Sequence, residues 1–219
     1  MQPPLTHVEV RVLGSLIEKA ATVPDTYPLT LSALVAACNQ LTNREPVMQL
    51  DEDMVSGAIV TLRRRSLLRA IQPAGSRVTK YQHLLNEALD LDARELAVMA
   101  VLMLRGPQTL AELHTRTARL ADFSDAYVLE RVLTALTARD SGSLVVHLPR
   151  QPGQKEQRYA QLLAGPVSES AAAVAMPITS ESAPPRTALE LSLERRVERL
   201  EQELAEVRAE LSAFRAQFS

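Results

Sequence analysis

Arginine is the residue type whose placement says most about chemistry in this chain of 219 residues. Arg63, Arg64 and Arg65 are consecutive, Arg69, Arg77 and Lys80 follow in a turn-rich stretch, and Arg150, Lys155 and Arg158 form a later group. Clustered cations of this kind suit phosphate, the contact that dominates nucleic-acid affinity. Arg116 and Arg119 make a smaller patch. Arg44 sits in a polar segment, Asn39-Gln40-Leu41-Thr42-Asn43-Arg44-Glu45-Pro46, whose Asn and Arg side chains can address bases or a protein partner. Each feature also has a purely structural reading. Three arginines at a helix C-terminus are favoured by the helix dipole, and the polar segment can end a helix and shape a turn, with Arg44 paired to a carboxylate.

Catalysis has much less to stand on. His7, His83, His114 and His147 are scattered, with no pair at ligand spacing on one helix, so no metal site is expected. Cys38, the one cysteine, falls on an apolar stripe and reads as a small buried hydrophobe, not a nucleophile. The seven glycines make no phosphate-cradling loop. Tyr81 and Tyr159 occupy matching places and are expected to pack against helices more than to stack on bases. The chain is therefore expected to be no enzyme and to hold no cofactor.

The composition narrows the setting. Hydrophobic residues make up 46% of the chain and aromatics only 3%, with no Trp, so the cores must be built from Leu, Val, Ala and Met. A formal net charge of −2 supplies no global basic field, which leaves any DNA contact to local patches. The start, Met1-Gln2-Pro3-Pro4, lacks the features of a signal peptide. No apolar run approaches the roughly 20 residues that span a bilayer. A lone cysteine fits a reducing compartment. These features predict a soluble, cytoplasmic protein.

The elements that must position the cations can be read in order. Thr6 and Glu9 form a capping box for a helix to about Lys19, with Val8, Val12, Leu13, Leu16 and Ile17 at helical spacing. Thr30 caps a second helix carrying Leu31, Leu34, Val35 and Cys38, and Asp51 caps a third with Met54, Val55, Ala58, Ile59 and Leu62. Two β-like runs, 67–71 and 77–84, flank Pro73-Ala74-Gly75-Ser76. Three helices and a hairpin in this order describe a winged helix. The plan then repeats. Asp92-Ala93-Arg94-Glu95 opens another helix, Thr109-Leu110-Ala111-Glu112-Leu113 echoes Thr30-Leu31-Ser32-Ala33-Leu34, and Ser124 or Asp125 caps a further one. Arg158-Tyr159-Ala160-Gln161-Leu162-Leu163 closes the second copy as Lys80-Tyr81-Gln82-His83-Leu84-Leu85 closes the first.

The expected fold is mainly α with small β-hairpins (α+β): winged-helix domains at 1–88 and 89–164, a flexible linker at 165–187 rich in Ala, Ser and Pro, and a coiled-coil helix at 188–219. In that last helix Leu193, Val197, Leu200, Leu204, Val207, Leu211 and Phe214 alternate at four- and three-residue spacing. The seam either pairs with a second copy, making a homodimer, or folds back on the chain's own domains. Against major-groove reading, the third helix begins with Asp51, Glu52 and Asp53, at the end that reads bases in a helix-turn-helix. Residues 1–90 carry nine basic and nine acidic side chains.

Several strings resemble one bacterial family. Arg11-Val12-Leu13-Gly14-Ser15-Leu16-Ile17-Glu18-Lys19, Tyr27-Pro28-Leu29, Ala37-Cys38-Asn39-Gln40 and Asn43-Arg44-Glu45-Pro46-Val47-Met48 are similar to the YceH family, as is Gly106-Pro107-Gln108-Thr109 with Glu112, Leu113, Arg116, Arg119 and Phe123. The resemblance implies a tandem winged-helix fold with a coiled-coil extension and brings no catalytic residues. The chain departs from the family's pattern at Leu41, Ala111 and His114. Two functional classes follow. One is a DNA-associated regulatory or architectural protein that contacts double-stranded DNA through its wings and third-helix arginines. The alternative is a protein–protein interaction module that binds no DNA; that rests on the fold alone.

Overall fold

Helix α1 (His7–Thr22) begins where the sequence marks it: the Thr6 hydroxyl accepts from the Glu9 amide and the Glu9 carboxylate accepts from the Thr6 amide at 2.7 Å. In the computed structural model, which describes residues 3–72, 75, 77–150 and 156–166, this helix is buried on every side from Glu9 to Glu18. An apolar stripe would bury one face only. The whole circumference is covered because α1 packs against helices of both halves, α2 (Leu31–Cys38), α3 (Glu52–Arg64) and α5 (Ala93–Arg105). Helix α5, opened by the Asp92–Glu95 capping box, is likewise buried from Ala97 to Leu104. The first helix of one repeat thus lies against the first helix of the other.

Seven α-helices and two small antiparallel sheets make up the described residues, a mixed α/β architecture. The remaining helices are α4 (Leu85–Leu89), α6 (Leu110–Thr117) and α7 (Ala126–Thr137). Asp125, not Ser124, caps α7 by accepting from the Val128 amide at 2.9 Å. One apolar cluster includes Leu16 of α1, Leu62 of α3, Leu102 of α5 and Leu133 of α7. The described residues fall in one compact unit.

The repeat seen in the sequence returns in the backbone pairing. Strands β1 (Leu29–Thr30), β2 (Leu68–Ile71) and β3 (Lys80–His83) form a sheet in the order β1-β3-β2, with Leu29 opposite Tyr81. In the second half β4 (Val145–His147) pairs with β5 (Tyr159–Gln161), and Gln108 bridges Tyr159 through amide hydrogen bonds of 3.0 and 2.7 Å. Leu29 and Gln108 each precede a helix-capping threonine, and each faces the tyrosine of its hairpin. Tyr81 and Tyr159 pack against the core edge. The short β1 and α4 carry no periodicity in the sequence, being two and five residues long. Among the described residues no helix is long and apolar enough to cross a membrane.

The first sheet ends in a partly buried histidine. The His83 amide donates to the Tyr27 hydroxyl at 2.8 Å, and burial pulls the His83 imidazole down to about 4, from 6.5, while raising Tyr27 to about 12. A depressed histidine is neutral in the folded state, so the unfolded chain takes up the proton first and stability falls as pH drops from 6.5 towards 4. Urea unfolding is expected to show a loss of about 2 kcal/mol between pH 6.5 and 5. His83→Gln should flatten that decline, and an unchanged slope would exclude His83 as its source.

Candidate nucleic-acid interface

Helix α3 ends at a left-handed residue, Ser66 (φ 57°), and the Leu67 amide returns to the Leu62 carbonyl at 2.9 Å. That stop places Arg63 and Arg64 in the last helical turn and starts β2 immediately, with Leu68 buried and Arg69 exposed by strand alternation. The result is an open groove of about 510 Å³ lined by Arg63, Arg64 and Arg69 together with Val60, Leu68 and Leu84. Arg63 and Arg64 are exposed, and neither has an ion-pair partner among the described residues. Arg69 meets Glu87 at 3.4 Å, but both side chains are more than half exposed, a pair worth under about 1 kcal/mol. Arg65 turns away to donate to the Pro3 carbonyl at 2.7 Å. Arg77 is exposed and Lys80 half-buried, pairing in register with Ile71; neither lines the groove. The opposite end of α3 is acidic, with Asp51 capping the Met54 amide at 2.8 Å and Glu52 and Asp53 exposed.

The second half does not reproduce this groove. Arg158 donates to the Pro107 carbonyl at 2.8 Å and to Glu112 at 2.9 Å, so its guanidinium is engaged within the fold. Arg139, beyond the end of α7, is held by the Leu89 and Asp90 carbonyls and by Glu95. Arg150 is exposed, and Lys155 lies outside the described residues. The same holds for the heptad residues Leu193 to Phe214.

Arg44 takes the carboxylate-paired arrangement. Its side chain is fully buried, and it donates to Glu18 at 2.6 Å, to the Ala37 carbonyl at 3.0 and 2.9 Å, to the Asn43 carbonyl at 2.9 Å and to Gln40 at 3.1 Å. Such a guanidinium cannot reach a phosphate. The connection between α2 and α3 is pinned at further points. Asn39 exchanges two hydrogen bonds with the Leu50 backbone, and Arg11 donates to the Cys38 and Pro46 carbonyls. Glu18 is shared: one oxygen takes Arg44 and the other takes Arg119. Burial alone would raise the Glu18 carboxyl, but the Arg44 hydrogen bond and the charges of Arg44 and Arg119 hold it below its ordinary value. Arg116 lies 3.9 Å from Glu112. Arg105, which the sequence pattern did not single out, donates to the Asn43 side chain beside this cluster. Its only sequence signal is its place in the last turn of a helix before Gly106, where a cation is ordinary.

Cys38 is buried, and burial raises its thiol, so it makes a poor nucleophile. Among the described residues no three His, Cys, Asp or Glu side chains are grouped to hold a metal ion.

The strings that carry the sequence resemblance fall within residues 5–154, which match the family described as "Protein of unknown function, DUF480". A UPF0502 protein of Vibrio parahaemolyticus is 45% identical over 221 residues, covering 99% of this chain and 97% of the relative. One from Geotalea daltonii is 54% identical over 165 residues, 75% of each chain, and one from an Azoarcus species is 46% identical over 98% of this chain and 94% of its own. None of these names carries an activity. The chain belongs to the DUF480/UPF0502 family.

Proposed function

We propose that this chain is a non-enzymatic tandem winged-helix protein that associates with double-stranded DNA, as a regulatory or architectural factor, through phosphate contacts from its first half. The observation that carries this reading is the open groove where Arg63, Arg64 and Arg69 converge without strong internal partners. Unspent guanidinium groups at a helix-to-wing junction suit the sugar-phosphate backbone, which fixes register and carries little sequence information. The acidic start of α3 argues against insertion of that end into a major groove, so the contact is expected to be salt-sensitive and weakly sequence-selective. A second copy joined through Leu193, Val197, Leu200, Leu204, Val207, Leu211 and Phe214 would present two such grooves.

Fluorescence anisotropy of a mixed-sequence duplex, titrated at several salt concentrations, tests this. The triple variant Arg63→Ala, Arg64→Ala, Arg69→Ala is expected to lower the slope of log affinity against log salt by about 2 to 3. Its unfolding midpoint should stay close to that of the parent, since none of the three is buried. Equal affinity and slope in the variant would remove the groove from the interface. One observation favours the protein-interaction reading: Val60 on α3, which lines the same groove as the arginines, is 47% exposed. Absence of duplex binding even at low salt would support it.

A further inference from the structure

A second concave feature lies away from the groove, where α1, the connection 39–50, α5 and α6 meet. It is a cleft of about 240 Å³ lined by Glu18, Asn43, Leu104, Arg105, Arg116 and Arg119. Three guanidinium groups therefore border one small space; Arg119 is paired with Glu18, while neither Arg105 nor Arg116 has a carboxylate within hydrogen-bond reach among the described residues. Glu18 divides its two oxygens between Arg44 and Arg119. Glu112 accepts from Arg158 at 2.9 Å and from the Thr109 amide at 2.9 Å, which leaves Arg116 at 3.9 Å, beyond hydrogen-bond reach. Arg105 donates to a neutral amide oxygen, and the exposed Glu45 acts on it only as a nearby charge. The Arg105 guanidinium is disfavoured first by burial and then by the charges of Arg116 and Arg119. Like charges held together in a partly desolvated place are relieved by a bound counter-anion.

We infer that this cleft binds a small phosphate-type dianion, with Arg105, Arg116 and Arg119 as its ligands and Leu104 as part of its apolar wall. The volume is below the roughly 300 Å³ at which sites for drug-sized ligands begin, so inorganic phosphate, pyrophosphate or a short phosphate monoester fits better than a nucleotide. Arginine suits this task through paired donors that match phosphate oxygens. The ligand would touch both repeats at once, Asn43 from the first and Arg105, Arg116 and Arg119 from the second. It would therefore raise the stability of the folded unit in proportion to occupancy. The cleft is distinct from the α3 groove, and the inference stands independently of DNA binding.

Isothermal titration calorimetry of the full chain with inorganic pyrophosphate, at constant ionic strength set by sodium chloride, tests the inference, with inorganic phosphate as a second arm. Saturable binding near one site per chain is expected, accompanied by a rise in unfolding midpoint. Arg116→Gln, which gives up only a long ion pair, should weaken it at least tenfold. Thr115→Glu places a competing carboxylate at an exposed rim position and should do the same without touching the core. The Arg63, Arg64, Arg69 triple variant should bind pyrophosphate as the parent does. No saturable heat, a midpoint shift matched by chloride alone, or unchanged binding in both cleft variants would overturn the inference. Duplex binding that depends on Arg116 without any pyrophosphate binding would also overturn it, and would assign the cleft to the nucleic-acid face.

Discussion

Glu18→Ala is expected to lower the unfolding midpoint by roughly 10 °C, corresponding to about 3 to 5 kcal/mol in a unit of this size. The reason is the asymmetry of buried ion pairs. Bringing Glu18 and Arg44 out of water costs about as much as their attraction returns, so the pair adds little net stability as a pair. Removing one member leaves the other buried and uncompensated. Arg44 has no exposed side-chain surface and no second carboxylate among its hydrogen-bond partners. Arg119 also loses its partner, but it is 45% exposed and can be solvated, so its share is small. Glu18→Gln keeps the volume and one acceptor and should fall between parent and Ala.

An apolar replacement of both residues distinguishes this network from a simple buried pair. In favourable cases such a swap is neutral or stabilising. Here Arg44 also satisfies the Ala37 and Asn43 carbonyls, so Glu18→Met with Arg44→Met should remain destabilised, with those acceptors unpaired. The pH dependence has a definite sign. A carboxyl held below its ordinary value stabilises the fold above the unfolded value near 4.5, and that contribution disappears as pH falls through the folded value. The acid limb below about pH 4.5 should be shallower in Glu18→Gln than in the parent. A midpoint for Glu18→Ala within about 2 °C of the parent would show that Arg44 is solvated.

The capping signals were legible because they are local. Thr6 with Glu9, Thr30, Asp51 and Asp92 with Glu95 each bind an amide three residues away, and the spacing alone reveals them. The repeat was legible for a similar reason, since Tyr81 and Tyr159 sit at the same step of two hairpins. What the sequence hid is the burial of polar residues on α1. Glu9, Arg11, Ser15 and Glu18 lie off the apolar stripe, and periodicity alone assigns them to solvent. Two of them are held by partners far along the chain: Arg11 donates to the Cys38 and Pro46 carbonyls, and Glu18 meets Arg44, 26 residues on, and Arg119, 101 residues on. No local pattern carries such a pairing. The sequence left Arg44 between phosphate contact and carboxylate partner, and the structure resolves it towards the carboxylate. The arginines of the α3 groove were readable as a cluster. The convergence of Arg105 with Arg116 and Arg119 was not, because it depends on how α5 lies against α6 and the connection 39–50.

The closeness of α1 to α5 gives the second large effect. A Cβ built on Gly14 would lie 3.0 Å from Leu104 Cγ and 3.1 Å from both Leu104 Cδ2 and Met103 Cβ. Leu104 can turn aside by a few tenths of an ångström, but Met103 Cβ is fixed to the α5 backbone. Gly14→Ala therefore sets a helix-propensity gain of about 1 kcal/mol against mild compression, and its stability should stay within about 1 kcal/mol of the parent. Gly14→Val adds two branched methyl groups where the helices touch, and is expected to cost about 3 kcal/mol by overpacking. The loss should appear in both repeats, because α1 belongs to one and α5 to the other. Hydrogen exchange should quicken at α5 amides, such as Leu102, as well as on α1 itself. A valine variant as stable as the parent would mean that α1 and α5 stand further apart. A valine variant that loosens α1 alone would mean that the second repeat holds its core without the first.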